Sequence, residues 1–311
     1  VDNIIINKNS DKGMFEIFVE QAMKSRNDDG DWILNEKEYE SFRTIYGYLL
    51  SNYTNGGDCP SPVFVDRESD GEHAEGGTGK SLVLDSIKYW KKTIAINGKN
   101  ITKSDRFLFS GVGLDTQFVF LDDVEKDFDF GILYNLVTGE FEIERKFKDR
   151  VTISRSNKPK VAISSNYVLP SSSYSTRRRQ YICEFSDFWN DYTKNQGNSV
   201  SYFFKGNRLF DDFNDREWQL FFNYGFKCIK EYLSKGVVQN ENQNYRHKSL
   251  ISSIEGVGTN DGVVDWIINY IKDNKSQFEN KSEGVEENSV YDEFFNCDEF
   301  GESVLDKWTK V

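Results

Sequence analysis

From about residue 56 to about residue 185, short apolar runs of strand length alternate with helical stretches, and this alternation narrows the possible folds more than any other property of the chain. The strand candidates are Val63-Phe64-Val65, Thr93–Ile96, Phe118–Leu121, Val161–Ile163 and Tyr181–Phe185. Strands joined through helical connections pair in parallel, so the pattern predicts an α/β layer structure with a mostly parallel sheet. Two helices precede it, with Phe15, Phe18, Val19 and Ala22 on one face of 11–25 and Phe42, Ile45 and Leu49 on one face of 35–52. The turn-rich Asn55-Gly56-Gly57-Asp58-Cys59-Pro60 then marks a boundary. Beyond residue 200 the pattern is helical again. Asn214 and Glu217 stand as a capping box ahead of Trp218, Phe221, Phe222, Phe226, Ile229 and Leu233, and a later helix is expected over Val263–Lys272. Residues 273–290, rich in Glu, Asn and Ser, read as a mobile linker.

A chain of 311 residues can bury a core without disulfide or metal staples. Its hydrophobic fraction of 37% is modest, but 15% aromatics supply large apolar areas per residue. No run approaches the roughly 18 to 20 apolar residues of a bilayer span, and no signal peptide opens the chain, so a soluble, unsecreted protein is expected. The four cysteines lie far apart and only two histidines are present, which argues for free thiols in a reducing compartment and against a zinc site. The net charge of −12 opposes non-specific adhesion to nucleic acid or membrane, so a polyanionic partner has to meet a local basic patch. The start at Val1 and the stop soon after an apolar segment suggest a piece of a longer polypeptide.

The chemistry begins at Ala74-Glu75-Gly76-Gly77-Thr78-Gly79-Lys80-Ser81, followed at once by the apolar helical positions Leu82, Val83, Ile87 and Trp90. Glycines let successive N–H groups converge on phosphate oxygens, Lys80 reaches the β- and γ-phosphates, and the Ser81 hydroxyl suits Mg²⁺. Ala74 stands where the strict motif has its first glycine. Phe118–Leu121 then runs into Asp122-Asp123, as a buried parallel strand does when it delivers carboxylates to its sheet edge. Asp122 suits Mg²⁺ through water, and Asp123 suits orientation or deprotonation of an attacking water. A third apolar run ends in Asn166, an amide able to bridge γ-phosphate and water. Finally Arg177-Arg178-Arg179 precede the strand candidate Tyr181–Phe185, and a guanidinium fork fits the spread charge of a phosphoryl-transfer transition state.

Taken together, these motifs resemble the superfamily 3 helicases, AAA+ ring motors of viral, phage and plasmid replication, and especially the helicase modules of phage-type primases or primase-polymerases. Glu75–Ser81 looks like Walker A, Phe118–Asp123 like Walker B, Leu136–Lys148 like the B′ motif, and Ile163–Asn166 like motif C. The Asp122-Asp123 pair, where many AAA+ proteins have Asp-Glu, is a departure. The resemblance implies a nucleotide-binding set of Glu75, Gly76, Gly77, Thr78, Gly79, Lys80, Ser81 and Leu82, with ATP and Mg²⁺ as cofactors and Ser81 and Asp122 at the metal. It assigns catalysis to Lys80, Asp122, Asp123 and Asn166, with Arg178 or Arg179 as an arginine finger acting on a neighbouring subunit; Arg177 is a second phosphate sensor or a structural residue. It also implies a pore hairpin in which Lys146, Phe147 and the adjacent Lys148 grip one DNA strand. Residues 141–160 hold seven Lys/Arg against three acids, a basic stretch within an acidic chain.

The implied architecture is an AAA+ P-loop NTPase core over 56–190, an N-terminal helical oligomerisation domain over 1–55, and a C-terminal helical region over 191–311 with an acidic linker and part of a further domain. The implied function is that of a hexameric ATP-dependent replicative DNA helicase working on single-stranded and forked DNA. It would be linked to a primase or primase-polymerase outside this chain and act in the cytoplasm of a bacterial host, without membrane contact. Two alternatives are a P-loop ATPase that remodels protein and a DNA-binding assembly module with negligible turnover.

Overall fold

A computed structural model describes residues 11–53, 60–67, 76–99, 101–102, 105–134, 136, 141–146, 148–154, 157–169, 176 and 178–239; of Arg145, Lys148 and Asp149 it describes the backbone alone. The expected helix Val263–Lys272, the linker 273–290, Glu75, Phe147 and Arg177 lie outside the described residues.

The chain opens with α1 (Met14–Ala22), a short hairpin of β1 (Lys24–Arg26) and β2 (Trp32–Leu34), and α2 (Glu36–Leu50). The hairpin has no apolar alternation to announce it. Its turn is held by Asn27, whose Oδ1 accepts from Asp31 N–H at 2.7 Å, and by Gly30 at φ +86°. Then come β3 (Ser61–Asp66), α3 (Lys80–Asp85) continued by a 3₁₀ turn (Ser86–Tyr89), β4 (Thr93–Asn97), β5 (Phe118–Val124), the antiparallel pair β6 (Phe141–Arg145) and β7 (Lys148–Ile153), β8 (Lys160–Ser165) and β9 (Gln180–Phe185). Short helical turns at 188–195 and 200–203 lead to α4 (Asp215–Lys235).

Five strands form one sheet in the order β4-β5-β8-β3-β9, and every pairing is parallel. Apart from β4 and β5, neighbours on this list are not consecutive in sequence, and every parallel pairing requires its connection to cross over. The central strands are buried on both faces, which explains why their sequences are continuous apolar runs. Alternation still sorts their side chains. Phe64, Phe118, Phe120, Ala162 and Phe185 enter a core shared with α1, α2 and α4, while Val63, Val65, Val119, Leu121, Val161 and Ile163 enter a second core with Phe141, Ile143 and Ile153 of the hairpin.

The first core is dominated by rings: Phe15 meets Phe221 edge-on at 5.1 Å, and Phe18 stacks on Trp189 at 4.7 Å. The aromatic fraction thus supplies the apolar mass that the aliphatic count lacks. Helices α2 and α4 approach so closely at Gly47 that an added Cβ would lie 2.0 Å from the Cys228 carbonyl oxygen. The expected capping box at α4 forms only in part. Asn214 accepts from Glu217 N–H at 2.9 Å, but the Glu217 carboxylate accepts instead from Met14 N–H at 2.9 Å, so it caps α1. Tertiary packing offered Glu217 a second helix start within reach. Cys183 and Cys228 are buried free thiols, and among the described residues no helix is long and apolar enough to cross a membrane.

Candidate nucleotide site and hairpin

The glycine loop reaches α3 from the carboxyl end of β3, and Gly76, Gly77 and Gly79 hold φ of +61°, +92° and +100°, values that disfavour side chains. At the latter two, space is short as well: a Cβ at Gly77 would lie 2.5 Å from Asn190 Oδ1, and one at Gly79 the same distance from Phe18 Cζ. Leu82 is half-buried and packs on the first core.

From this loop Lys80 turns into the sheet edge and is 5% exposed. Its ammonium donates to Asp66 Oδ1, to Asn166 Oδ1 at 3.0 Å and to Thr78 Oγ1 at 3.2 Å. Burial pulls its pKa below the ordinary lysine range, against the opposing pull of Asp66. Beside it the exposed Ser81 hydroxyl donates to Asp122 Oδ1 at 2.6 Å. Asp122 Oδ1 also accepts from Ser164 Oγ at 2.6 Å, and Ser164 Oγ in turn accepts from Asp123 N–H at 2.9 Å. The ladder between β5 and β8 shifts register between Leu121 and Val124, and Asp123 sits at φ +60°, a strained conformation for a residue with a Cβ. That strain aims its carboxylate at Asn166, whose Nδ2 donates to it at 2.7 Å, and at Lys99, 3.0 Å away.

Lys80, Ser81, Asp122, Asp123 and Asn166, scattered in sequence, are therefore linked through hydrogen bonds of 2.6–3.0 Å. Ser81 and Asp122 are hard oxygen donors facing each other, the small protein share that suits Mg²⁺ when phosphates and water supply the rest. Among the described residues no group of three or more His, Cys, Asp or Glu could hold a metal ion.

Arg178 and Arg179 lie at the other edge. Ser61 N–H donates to Arg179 carbonyl at 2.8 Å and Ser61 pairs with Gln180, so this segment flanks the amino ends of the strands. The glycine loop is at their carboxyl ends, about 16 Å away along a six-residue strand. The structure also separates the two candidates. Arg178 is exposed, whereas Arg179 is buried with its guanidinium 4.9 Å from the centre of the Tyr134 ring.

In the hairpin, Arg145 pairs with Lys148, which places Lys146 at the turn. Lys146 is exposed, and its ammonium lies 5.8 Å from the centre of the Phe107 ring. The surrounding positive charge is smaller than the sequence count implies. Arg150 pairs with Glu144 at 2.8 Å and Arg106 with the same carboxylate at 3.0 Å. Lys160 is no surface cation at all: it is 5% exposed and donates to the Tyr48 carbonyl and, at 3.0 Å, to the Tyr53 carbonyl.

Four residues at or near these sites were not singled out from the sequence. Asp66 closes Val63-Phe64-Val65 as Asp122 closes Phe118–Leu121, so its signal was present. Ser164 lay inside motif C; Lys99 and Phe107 carried no pattern.

The strand order, with β8 between the loop-bearing β3 and the acidic β5, and a glycine loop leading into a helix, define a P-loop NTPase-type α/β core. Residues 73–179, from just before the loop to Arg179, match the model of a family of unknown function, DUF5906. No curated protein sequence matches the chain. Among solved structures the chain is similar to the apo C-terminal region of NrS-1, at 17% identity and a TM-score of 0.45 over 79% of this chain and 53% of that one. It is also similar to the JCV helicase, at 12% identity and a TM-score of 0.28 over 79% of this chain and 72% of that one. The chain thus spans about half the length of the NrS-1 chain it matches. Likenesses this distant carry no argument about activity.

Proposed function

We propose that the chain is the ATPase motor of a superfamily 3-type DNA helicase, working in a ring of six copies whose hairpins hold one DNA strand. The observation that carries this reading is the convergence of Lys80, Ser81, Asp122, Asp123 and Asn166 at one sheet edge. Lys80 neutralises charge on the β- and γ-phosphates, and Ser81 with Asp122 would hold a magnesium ion, which would supply charge screening at the phosphoryl oxygens. Asp123 accepts the proton of the attacking water and Asn166 orients that water, so that the bond from the β–γ bridging oxygen to the γ-phosphorus breaks and ADP and phosphate leave.

Arg178 cannot reach the site of its own chain from the opposite edge, which supports its action on a neighbour and hence an assembly. Exposed Lys146 at a hairpin turn, beside the ring of Phe107, supports a grip on single-stranded DNA by charge and stacking. A primase or primase-polymerase linked outside this chain, forked DNA as substrate, and action in the cytoplasm of a bacterial host complete the proposal.

The test is ATP hydrolysis with and without single-stranded DNA, beside unwinding of a fork and mass measurement with and without nucleotide. DNA-stimulated turnover is expected, and Lys80→Ala should lower it by about 10³-fold while keeping the fold. Turnover that ignores DNA would favour a protein-remodelling ATPase, and normal turnover in Lys80→Ala would remove the site assignment.

A further inference from the structure

Lys80 meets more than the family motifs account for. Its partner Asp66 is 9% exposed and closes β3, and the same Asp66 Oδ1 accepts from Lys80 and from Thr78 Oγ1. Three carboxylates therefore converge on the groups a nucleotide needs: Asp66 on Lys80, Asp122 on Ser81 and Asp123 on Asn166. Two of them keep a purpose once phosphate arrives, at the metal and at the water. Asp66 does not. A buried lysine needs a counter-charge, and until a phosphate supplies it, Asp66 does. When a β- or γ-phosphate oxygen approaches Lys80, it meets a carboxylate that holds the same donor and repels it through a poorly screened interior.

We propose that Asp66 is a further residue of the nucleotide site, a carboxylate that keeps Lys80 paired and aimed and that nucleotide phosphate displaces. This rests on the nucleotide reading of the glycine loop. Its consequence runs against the usual effect of a binding-site substitution, because removing the carboxylate strengthens binding. ATP affinity is measured by calorimetry on the whole chain, with and without Mg²⁺, for wild type, Asp66→Asn, Asp66→Ser, Asp66→Glu, Lys80→Ala and the double variant Asp66→Asn with Lys80→Ala.

Asp66→Asn and Asp66→Ser are expected to bind ATP about tenfold more tightly, the order set by one like charge near a phosphate. Asp66→Glu, which keeps the charge, stays at or below wild-type affinity, and in a Lys80→Ala background the gain from Asp66→Asn shrinks. If Lys80→Ala weakens ATP binding but neither uncharged variant tightens it, displacement is overturned and the nucleotide site stands. If wild type binds no ATP, the nucleotide reading fails and Asp66 with it. Loss of the thermal unfolding transition in both uncharged variants makes the pair structural and overturns the proposal as well.

Discussion

The carboxyl edge of the sheet and the β6–β7 hairpin both gather charge, but they treat it in opposite ways. At the sheet edge Lys80 and Asp66 are buried, and each polar group is bound to another attached to a different strand or loop. At the hairpin Lys146 and Arg150 stand in solvent, and the acids that pair with Arg150 are the exposed Glu142 and the half-buried Glu144 of the neighbouring strand. Burial forces pairing, because an unpartnered buried charge costs several kcal/mol; exposure leaves pairs worth about 1 kcal/mol or less. The edge is therefore built for one fixed geometry, and the hairpin for a grip that tolerates sliding and weakens with salt.

The sharpest way to break this contrast is at the arginines, which include one residue of each kind. Arg178→Ala is expected to lower DNA-stimulated hydrolysis by about 10³-fold with little change in ATP affinity, as removal of an arginine finger does. Mixing it with Lys80→Ala subunits should restore activity, since each supplies what the other lacks. Arg179→Ala, which empties the space over Tyr134, should instead lower thermal stability and impair activity only through the fold. If Arg179→Ala abolishes hydrolysis in a stable protein while Arg178→Ala is silent, exposure is the wrong guide to the finger.

A smaller effect tests the hairpin. Lys146→Ala should weaken single-strand binding about tenfold and flatten its logarithmic salt dependence by about one phosphate contact, with basal hydrolysis spared. Lys160→Met should leave DNA affinity unchanged. Equal losses in the two variants would mean that the summed charge of 141–160, and not the placement of its members, sets affinity.

The two regions were also unequally legible in the sequence. Strand ends at the carboxyl edge are announced by apolar runs that stop at polar residues, so Asp122, Asp123 and Asn166 could be assigned to one edge without knowing the strand order. The same signal stands at Asp66, but no phosphate-binding motif names a residue there. Charge counting did worse at the hairpin. It treated Lys160 as one of seven equivalent cations, although Lys160 is the first residue of a strand whose every residue is buried. A count along the chain carries no depth. Nor could periodicity show that Glu217 would leave its own helix to cap α1, since that choice depends on how two helices 200 residues apart pack.

Lys160 itself gives the subtlest expected effect, on stability and not on binding. Burial, with the neighbouring Lys91 ammonium adding to it, pushes the Lys160 pKa down to about 6, while burial alone pushes that of Lys91 to about 8. Both are depressed from an unfolded value of about 10.4, so at any pH between the folded and unfolded values the unfolded chain holds more protons and stability rises with pH. Between pH 6 and 7 Lys160 accounts for nearly all of the difference in protonation between folded and unfolded chain, and Lys91 joins it as the pH approaches 8. The contribution of Lys160 is a slope of at most about 1.4 kcal/mol per pH unit, which levels off below pH 6. Lys160→Met keeps an unbranched apolar stem beside Tyr48 and Tyr232 but does not titrate. Its denaturant midpoint should therefore vary less with pH across this window than that of wild type, on top of a constant loss from the missing bonds to the Tyr48 and Tyr53 carbonyls. Parallel curves for the two proteins would mean that these carbonyls and the two tyrosine rings, 4.0 and 5.5 Å from the ammonium, keep Lys160 charged through neutral pH. The amino side of the sheet would then, like the nucleotide edge, hold a paired buried cation.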